Sequence, residues 1–338
     1  MKVLEREIGT VEYAAGQTRT LPLPRNYAYD KIYLKLVAQL DVAAGATAGN
    51  PKDSCPAQLV QNIQVRANGR DVIKNYDMES LHRLTQIRHG VRPYIVSLAS
   101  GYEQGDDNVV AVHAIIDFAM WRASKPIDTL LDSAGLATLD LIITWTGSPN
   151  DVMNDAFDGT VSVDSATLYV ASLERVGIPA GTKFMFNKEY QIRSQVTATS
   201  ASHQIQLPVG NLFRDFTIKT HSDGVQVNTI LNNIQLKSGT EVFKNRLAGF
   251  RQMDDRVEYG LEVPEVLASA GATDHFYTEY VLDGYYILDF VKDGRLTEAL
   301  DTTRLSSLEL LLDVNSVGTN DFVDIYPCEL MMPAIEKV

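Results

Sequence analysis

Apolar and polar residues alternate along most of this chain, as they do in β-strands that bury one face. The segments IYLKLVAQLDV (32–42), TVSVDSATLYV (160–170) and SLELLLDV (307–314) all follow this pattern. Two further alternating runs are each interrupted by a glycine-containing dipeptide, Asn68-Gly69 and Ser238-Gly239. Because a tight hairpin turn needs positive φ, these dipeptides predict two β-hairpins.

The period of the pattern changes from that of a strand to that of a helix directly after each hairpin. Residues 75–90 and 245–260 both run from an asparagine to a glycine, which is consistent with a polar helix start and a left-handed C-terminal cap. We therefore predict helices at about 76–89 and 246–259. Each carries one apolar stripe, formed by Met78, Leu81, Leu84 and Ile87 in the first helix and by Leu247, Phe250, Met253 and Val257 in the second.

The hairpin and the helix belong to a longer internal repeat. The segment LVQNIQVRANGRDVIKN (59–75) recurs as ILNNIQLKSGTEVFKN (230–245), and four more pairs of similar segments keep the same order along the chain. Chance similarity rarely preserves order, so we infer a duplicated domain. Turn signals every 8–12 residues indicate antiparallel sandwiches. The predicted fold class is all-β, with two tandem eight-stranded antiparallel jelly rolls that each contain an inserted helix.

The repeat also places the domain boundaries. We predict a first jelly roll at 1–176, which includes an N-terminal arm at about 1–16. The second jelly roll is predicted at 177–338, and its residues at about 177–202 are part linker and part first strand. Two domains of ordinary size suit a chain of 338 residues.

The charge of the chain restricts the classes of function. Its net charge of −13 argues against a general electrostatic footprint for nucleic acid, which needs a basic face, so we expect no direct sequence-specific nucleic-acid binding. The start of the chain carries glutamates where a signal peptide has its apolar run, and we expect a soluble protein made in a cytoplasm. The two cysteines, Cys55 and Cys328, form no spacing motif and are expected to be free thiols.

A search for catalytic and metal-binding motifs finds no strong candidate. The six histidines form neither His-x-His nor His-Glu-x-x-His, which argues against a metal enzyme built on tandem sandwiches. No nucleophile elbow, phosphate loop or dinucleotide fingerprint is present in the sequence. We therefore predict no enzyme activity, no catalytic or cofactor-binding residues and no cofactor.

The acidic loop DVMNDAFDG (151–159) is a weak candidate for a calcium site. Its oxygen ligands would be Asp151, Asn154, Asp155 and Asp158, but their spacing is not that of an EF-hand. The corresponding loop of the second half keeps only Asn320 and Asp321. A solvated loop is the default interpretation, and calcium binding is the alternative.

The duplicated eight-stranded sandwich with a helix at one point in each half resembles the double jelly-roll major capsid proteins. These proteins coat tailless icosahedral viruses, including bacteriophages that have a membrane beneath the shell. The resemblance covers nearly the whole chain through the paired segments, and it is one of architecture without a diagnostic motif.

Several expectations follow from the resemblance. It implies a structural protein located in the virion capsid, whose homotrimers form pseudo-hexagonal capsomers of an icosahedral shell. The implied partners are neighbouring capsomers, penton or minor capsid proteins, and an internal viral membrane. The arm at about 1–16 would meet these neighbours.

Two other classes of function stay open. A tandem β-sandwich could be a carbohydrate-binding or adhesin module, which would need exposed aromatic residues on its loops or on a sheet face. An enzyme would need a catalytic triad or a metal centre in the loops of one half.

Overall fold

The computed structural model describes residues 2–43, 51–52, 54–91, 93–98, 105, 108–154, 157–178, 182, 184–260 and 283–331. Strands dominate these residues, as the alternating pattern predicts. The strands of the first half are β1 (Lys2–Glu12), β2 (Thr18–Pro22), β3 (Ala28–Ala43), β4 (Val60–Ala67), β5 (Asp71–Tyr76), β6 (Ile95–Val96), β7 (Asn108–Asp117), β8 (Leu131–Asp132), β9 (Leu139–Trp145) and β10 (Thr160–Val176). Helix α1 (Met78–His89) lies between β5 and β6.

The second half repeats this order of elements, except that it has one short added strand before its hairpin and no counterpart of β6 among its described residues. A connecting strand, β11 (Phe186–Glu189), precedes it. Its strands are β12 (Ile192–Val196), β13 (Ser200–Leu207), β14 (Leu212–Ser222), β15 (Val225–Gln226), β16 (Leu231–Ser238), β17 (Glu241–Leu247), β18 (Tyr285–Asp289), β19 (Leu300–Asp301), β20 (Leu308–Val314) and β21 (Asp321–Met331). Helix α2 (Ala248–Tyr259) follows β17. Short 3₁₀ helices occur at Cys55–Leu59, Pro126–Thr129, Pro149–Val152 and Leu296–Glu298.

The two halves have the same sheet topology. In the first half, one sheet has the order β1-β10-β3-β7 and the other has the order β2-β9-β4-β5. In the second half, the matching orders are β12-β21-β14-β18 and β13-β20-β16-β17. All these pairs are antiparallel, and two four-stranded sheets with this connectivity form a jelly roll. The predicted fold of two eight-stranded jelly rolls is confirmed.

Each jelly roll has its own apolar core. The alternating residues of facing sheets supply it, so that Leu34 and Ile143 lie in the core of the first sandwich, and Ile218 and Leu310 lie in the core of the second. Both cysteines are buried, unpaired thiols.

The predicted N-terminal arm is a strand for most of its length. Residues 2–12 form β1, which pairs with β10 from Lys2↔Val176 to Glu12↔Thr167. The prediction of an arm is wrong for these residues because β1 is an edge strand, and exposed charged residues are typical of a protected sheet edge. Its exposed residues Glu5 and Glu7 alternate with residues that are partly buried against the sandwich.

Both predicted hairpins are present. In the first, Asn68 and Gly69 have φ of 53° and 72°. In the second, the two loop residues are Gly239, with φ of 55°, and Thr240, so the turn lies one residue later than predicted. The longer first hairpin accounts for the one-residue difference in length between the two copies of the repeat.

The predicted helices are also present, and each ends at a left-handed glycine, Gly90 or Gly260. Their start signal differs from the predicted asparagine. The N-cap of α1 is Asp77, whose carboxylate accepts a hydrogen bond from the backbone N–H of Ser80 at 2.6 Å. The N-cap of α2 is Leu247, which has no side chain able to cap.

The two predicted apolar stripes differ in their burial. All four residues of the α1 stripe are buried, with exposures of 2% or less. The four residues of the α2 stripe are exposed: Leu247 by 54%, Phe250 by 56%, Met253 by 56% and Val257 by 80%. Helix α2 instead buries a polar face, on which Arg251 donates to Asp255 at 2.7 Å.

This difference predicts opposite effects of truncating the two stripes. We expect Leu84→Ala in α1 to lower the free energy of unfolding by about 2–5 kcal/mol, because it leaves a cavity in a packed core. The matched change Met253→Ala in α2 should stay within about 0.5 kcal/mol, because its side chain loses little burial. Urea denaturation of the dilute chain measures both values. Equal losses would contradict the assignment of α2's stripe to the surface.

Candidate functional site

The junction between the two jelly rolls contains the densest set of buried charged side chains in the described structure. Helix α1 of the first jelly roll lies against the outer face of the second. The Tyr326 hydroxyl of β21 donates to the Asp77 carboxylate at 2.8 Å and lies 2.8 Å from Ser80 Oγ. Lys219 Nζ of β14 donates to Glu79 Oε2 at 2.7 Å. These contacts fix α1 to two neighbouring strands of the other domain.

Strand β11 extends the junction into the sheets themselves. It pairs antiparallel with β21 of the second jelly roll and parallel with β5 of the first, where Glu189 is opposite Lys74. One sheet of each domain is therefore joined into a continuous sheet across the junction. Shared backbone hydrogen bonds of this kind resist rotation of one domain against the other.

The carboxylate of Glu189 lies at the centre of the joined sheet. Lys74 Nζ donates to it at 2.6 Å, and Arg88 and the Tyr76 hydroxyl donate to it as well. All four side chains are buried. Burial alone would raise the pKa of Glu189, but Arg88 and Lys74 outweigh it and lower that pKa to about 2.

A second group of buried charges surrounds Trp121. The ring lies 3.9 Å from Cζ of Arg88 and 4.1 Å from Cζ of Arg214, so it contacts a guanidinium of each domain. Arg214 also donates to the Trp121 carbonyl at 2.7 Å and lies 3.4 Å from Asp215. Burial, with Asp289 nearby, raises the pKa of Asp215 to about 7 although Arg214 opposes the shift.

These buried groups are arranged for cohesion. Each charged group named at the junction faces an opposite charge or a hydrogen-bond partner within the chain, and the side chain of Glu189 is fully buried. The two histidines of α1 are also held in place, since His82 Nδ1 lies 2.7 Å from the His113 carbonyl and His89 lies 3.1 Å from Asp117.

The structure leaves the calcium candidates untested, because one of the four lies outside the described residues. Asp151 accepts a hydrogen bond from the Thr146 hydroxyl, and Asn154 Oδ1 is buried without a hydrogen-bond partner. Asp155 lies outside the described residues, and Asp158 has a partner of its own. Within the described ranges, no group of three or more acidic, histidine or cysteine side chains could hold a metal ion. Calcium binding at this loop stays a prediction.

The sequence contained one signal for the junction that its periodicity did not reveal. Lys74 recurs as Lys244, and each ammonium lies over an equivalent ring, Phe118 at 5.5 Å and Phe290 at 4.9 Å. A recurring lysine that lies over an equivalent ring marks a position with a structural role, which is fully buried at Lys74 and half-buried at Lys244. Glu189 had no such signal, because it has no counterpart in the repeat.

The fold of this chain is similar to that of several solved structures, although the sequence identity to them is low. Neither family models nor curated proteins match the sequence. The major capsid protein (MCP) of STIV, Sulfolobus Turreted Icosahedral Virus, has a similar structure, with a TM-score of 0.71 and 17% identity over 100% of both chains. The major capsid protein P2 of bacteriophage PM2 matches with a TM-score of 0.64 and 14% identity over 99% of both chains. The PBCV-1 capsid matches with a TM-score of 0.63 and 11% identity, over 98% of this chain and 94% of the other.

We predict that adding a side chain at a close contact between the two domains destabilises the junction. A Cβ at Gly294 would lie 2.6 Å from the Arg122 carbonyl and 3.0 Å from the Ser124 N–H of the first jelly roll. Gly294→Ala should therefore cost about 1–3 kcal/mol more than Gly69→Ala. The two glycines have similar φ, 76° and 72°, but a Cβ at Gly69 meets no atom within 4 Å. Chemical denaturation measures both, and equal losses would contradict a close contact at Gly294.

We also predict that the central carboxylate has a large effect on stability. Glu189→Gln should cost about 3–5 kcal/mol, because it leaves two buried cations without their counter-charge. The partly exposed pair of Arg246 and Asp254 provides a control, and Asp254→Asn should cost less than about 1 kcal/mol.

The same substitution should change the acid sensitivity of the protein. The folded-state pKa of Glu189 is lowered, so its contribution is present above the ordinary value of about 4.3 and is lost as the pH falls towards 2. Stability of Glu189→Gln should thus decline less between pH 5 and pH 2 than that of the wild type. Parallel pH profiles for the two proteins would contradict the charged state of Glu189.

Proposed function

We propose that this chain, which has the double jelly-roll fold of viral major capsid proteins, is itself a major capsid protein that forms homotrimeric pseudo-hexagonal capsomers of an icosahedral virion. The observation that carries the proposal is the match to the STIV MCP over 100% of both chains. The match spans both jelly rolls and the segment that connects them. A fold alone does not determine function, so the physical properties of the chain have to fit as well.

The rigid junction fits this role. Three copies of a single domain would give a ring with three equivalent edges, whereas three copies of a locked pair give six similar edges, with alternate edges free to differ. The Glu189 cluster and the shared sheet would hold the two domains of each copy at a fixed angle. In this proposal the domains divide at 176/177, and β11 is the structural part of the linker.

The proposal assigns partners by chemistry. The capsomer would contact neighbouring capsomers and penton or minor capsid proteins, and a membrane could lie beneath the shell. A net charge of −13 favours protein partners over direct contact with nucleic acid. In the described parts of the chain, no helix has the length and apolarity needed to cross a membrane. Synthesis in the host cytoplasm belongs to the same proposal.

A carbohydrate-binding or adhesin module is the second candidate, because aromatic side chains are exposed on the first jelly roll. Tyr33, Tyr94 and Tyr169 have exposures of 39%, 58% and 47%. A sugar-binding sheet face uses rings of this kind. The same rings would serve equally well in a contact between protein subunits.

Measurement of the oligomeric state separates the two functions. We expect size-exclusion chromatography with light scattering to give three times the chain mass of 37.4 kDa. Electron microscopy of the same fractions should show particles with pseudo-hexagonal outlines. A monomer that binds a glycan array would overturn the capsid proposal in favour of the binding module.

A further inference from the structure

The internal repeat gives a residue-by-residue comparison of the two helices. In each helix, one side chain accepts a hydrogen bond from a backbone N–H of an equivalent strand. Thr85 Oγ1 of α1 accepts from the Ile115 N–H of β7 at 2.9 Å, and Asp255 Oδ2 of α2 accepts from the Ile287 N–H of β18 at 2.8 Å. Thr85 therefore corresponds to Asp255. The same register pairs the helix-ending glycines, Gly90 and Gly260.

This register shows what the exposed stripe of α2 corresponds to in α1. The α2 stripe consists of Leu247, Phe250, Met253 and Val257, and its α1 counterparts are Asp77, Ser80, Arg83 and Ile87. These counterparts form the face of α1 that lies against the second jelly roll. Asp77 and Ser80 contact Tyr326 there, and Ile87 packs in one cluster with Tyr285 and Ile287. The α2 stripe is thus the equivalent contact surface, and none of the described residues of its own chain buries it.

The surface of the second jelly roll that covers α1 has an equivalent on the first, which the described residues leave exposed. On the second jelly roll, Thr217 is opposite Tyr326 and Lys219 is opposite Asp324. On the first jelly roll, the matching pairs are Tyr33 opposite Ala171 and Lys35 opposite Tyr169. We name the set of Tyr33, Lys35, Tyr169 and Ala171 the β3 face.

Burial separates the two equivalent faces. Thr217, Lys219 and Tyr326 have exposures of 3%, 3% and 1%, because α1 lies on them. On the β3 face, Tyr33 and Tyr169 have exposures of 39% and 47%, and the Lys35 ammonium lies over the Tyr169 ring at 5.8 Å. Within the described parts of the chain, each copy therefore presents one exposed helix face and one exposed sheet face of a contact that it already makes internally.

The chemistry of the two exposed faces is complementary. Inside the chain, a small residue of the helix, Ser80, meets a large one of the sheet, Tyr326. At the equivalent positions the sizes are reversed, with Phe250 on the helix and Ala171 on the sheet. The α2 stripe is apolar throughout. On the β3 face, the rings of Tyr33 and Tyr169 lie beside Ala171. Aromatic and aliphatic side chains of this kind supply most of the affinity at protein interfaces.

We propose that the α2 stripe of one copy docks on the β3 face of the next copy, and that three such contacts close the ring of the trimer. This inference rests on the proposed function and adds the surfaces that assemble it. The contact joins two different faces, so it is heterologous and runs head to tail. It repeats between chains the relation that α1 has to the second jelly roll within a chain.

A charge on the α2 stripe tests the proposal. Phe250→Asp should weaken trimer association at least about tenfold. The substitution removes an aromatic side chain from the contact and would bury an unpaired carboxylate in its place. Val317→Asp is the control, since Val317 is 49% exposed in the loop between β20 and β21. Light scattering over a dilution series measures association, and circular dichroism verifies that both variants fold. A Phe250→Asp variant that stays trimeric at wild-type concentrations overturns this interface.

Cysteine cross-linking tests which two faces meet. Both native cysteines are buried, so cysteines introduced by Phe250→Cys and Ala171→Cys would be the accessible thiols. The two single variants are co-expressed and treated with a short bis-maleimide. We expect a cross-linked pair of chains in the mixture and none in either variant alone, because each variant carries only one of the two partner positions.

The possible failures are distinguishable. A wild-type trimer without the mixture-specific cross-link overturns this interface and leaves the proposed capsomer intact. A wild-type chain that is monomeric overturns both. Loss of monomer stability in Phe250→Asp without loss of association would show that the chain's own residues cover the α2 stripe, which also overturns the inference.

Discussion

The ion cluster around Glu189 is the interaction on which the arrangement of the two domains depends. One buried carboxylate faces Lys74, Arg88 and Tyr76, while its own strand is shared by a sheet from each jelly roll. Such a cluster contributes little net stability relative to an apolar core, because burial of the ions is costly. Its main effect is to fix the position of the domains, since a displaced domain would leave charges buried and unpaired. The cluster therefore favours the observed relative position of the domains over displaced ones.

The equivalent faces of the two helices differ in chemistry. The junction face of α1 is polar at Asp77 and Ser80, which contact Tyr326, whereas its α2 counterpart is apolar and exposed. A polar contact suits an interface that forms once, during folding, and must have a fixed register. An apolar face suits an interface between chains, because it tolerates small shifts and gains affinity from buried area.

Sequence periodicity predicted the strands, both hairpins and both helices because these depend on local patterns. The repeat extended that prediction to the topology. Strand β1 was not predicted as a strand, because the charged residues of an edge strand resemble those of an arm. Periodicity correctly predicted that the apolar residues of α2 form a stripe. It cannot tell whether another element of the chain buries that stripe. The role of Glu189 was not predicted, for a related reason. Its partners Lys74 and Arg88 are more than 100 positions away, and a single acidic residue in a linker forms no pattern.

The different settings of the two helices also separate folding from assembly. The α1 contact is intramolecular, so its formation does not depend on protein concentration. The α2 contact would form by mass action, so it would accumulate only as newly made chains become abundant. A net charge of −13 keeps dilute chains apart and weakens non-specific association. Under that long-range repulsion, the chains would associate through short-range complementary faces such as the α2 stripe and the β3 face, which favours a closed ring over disordered aggregation.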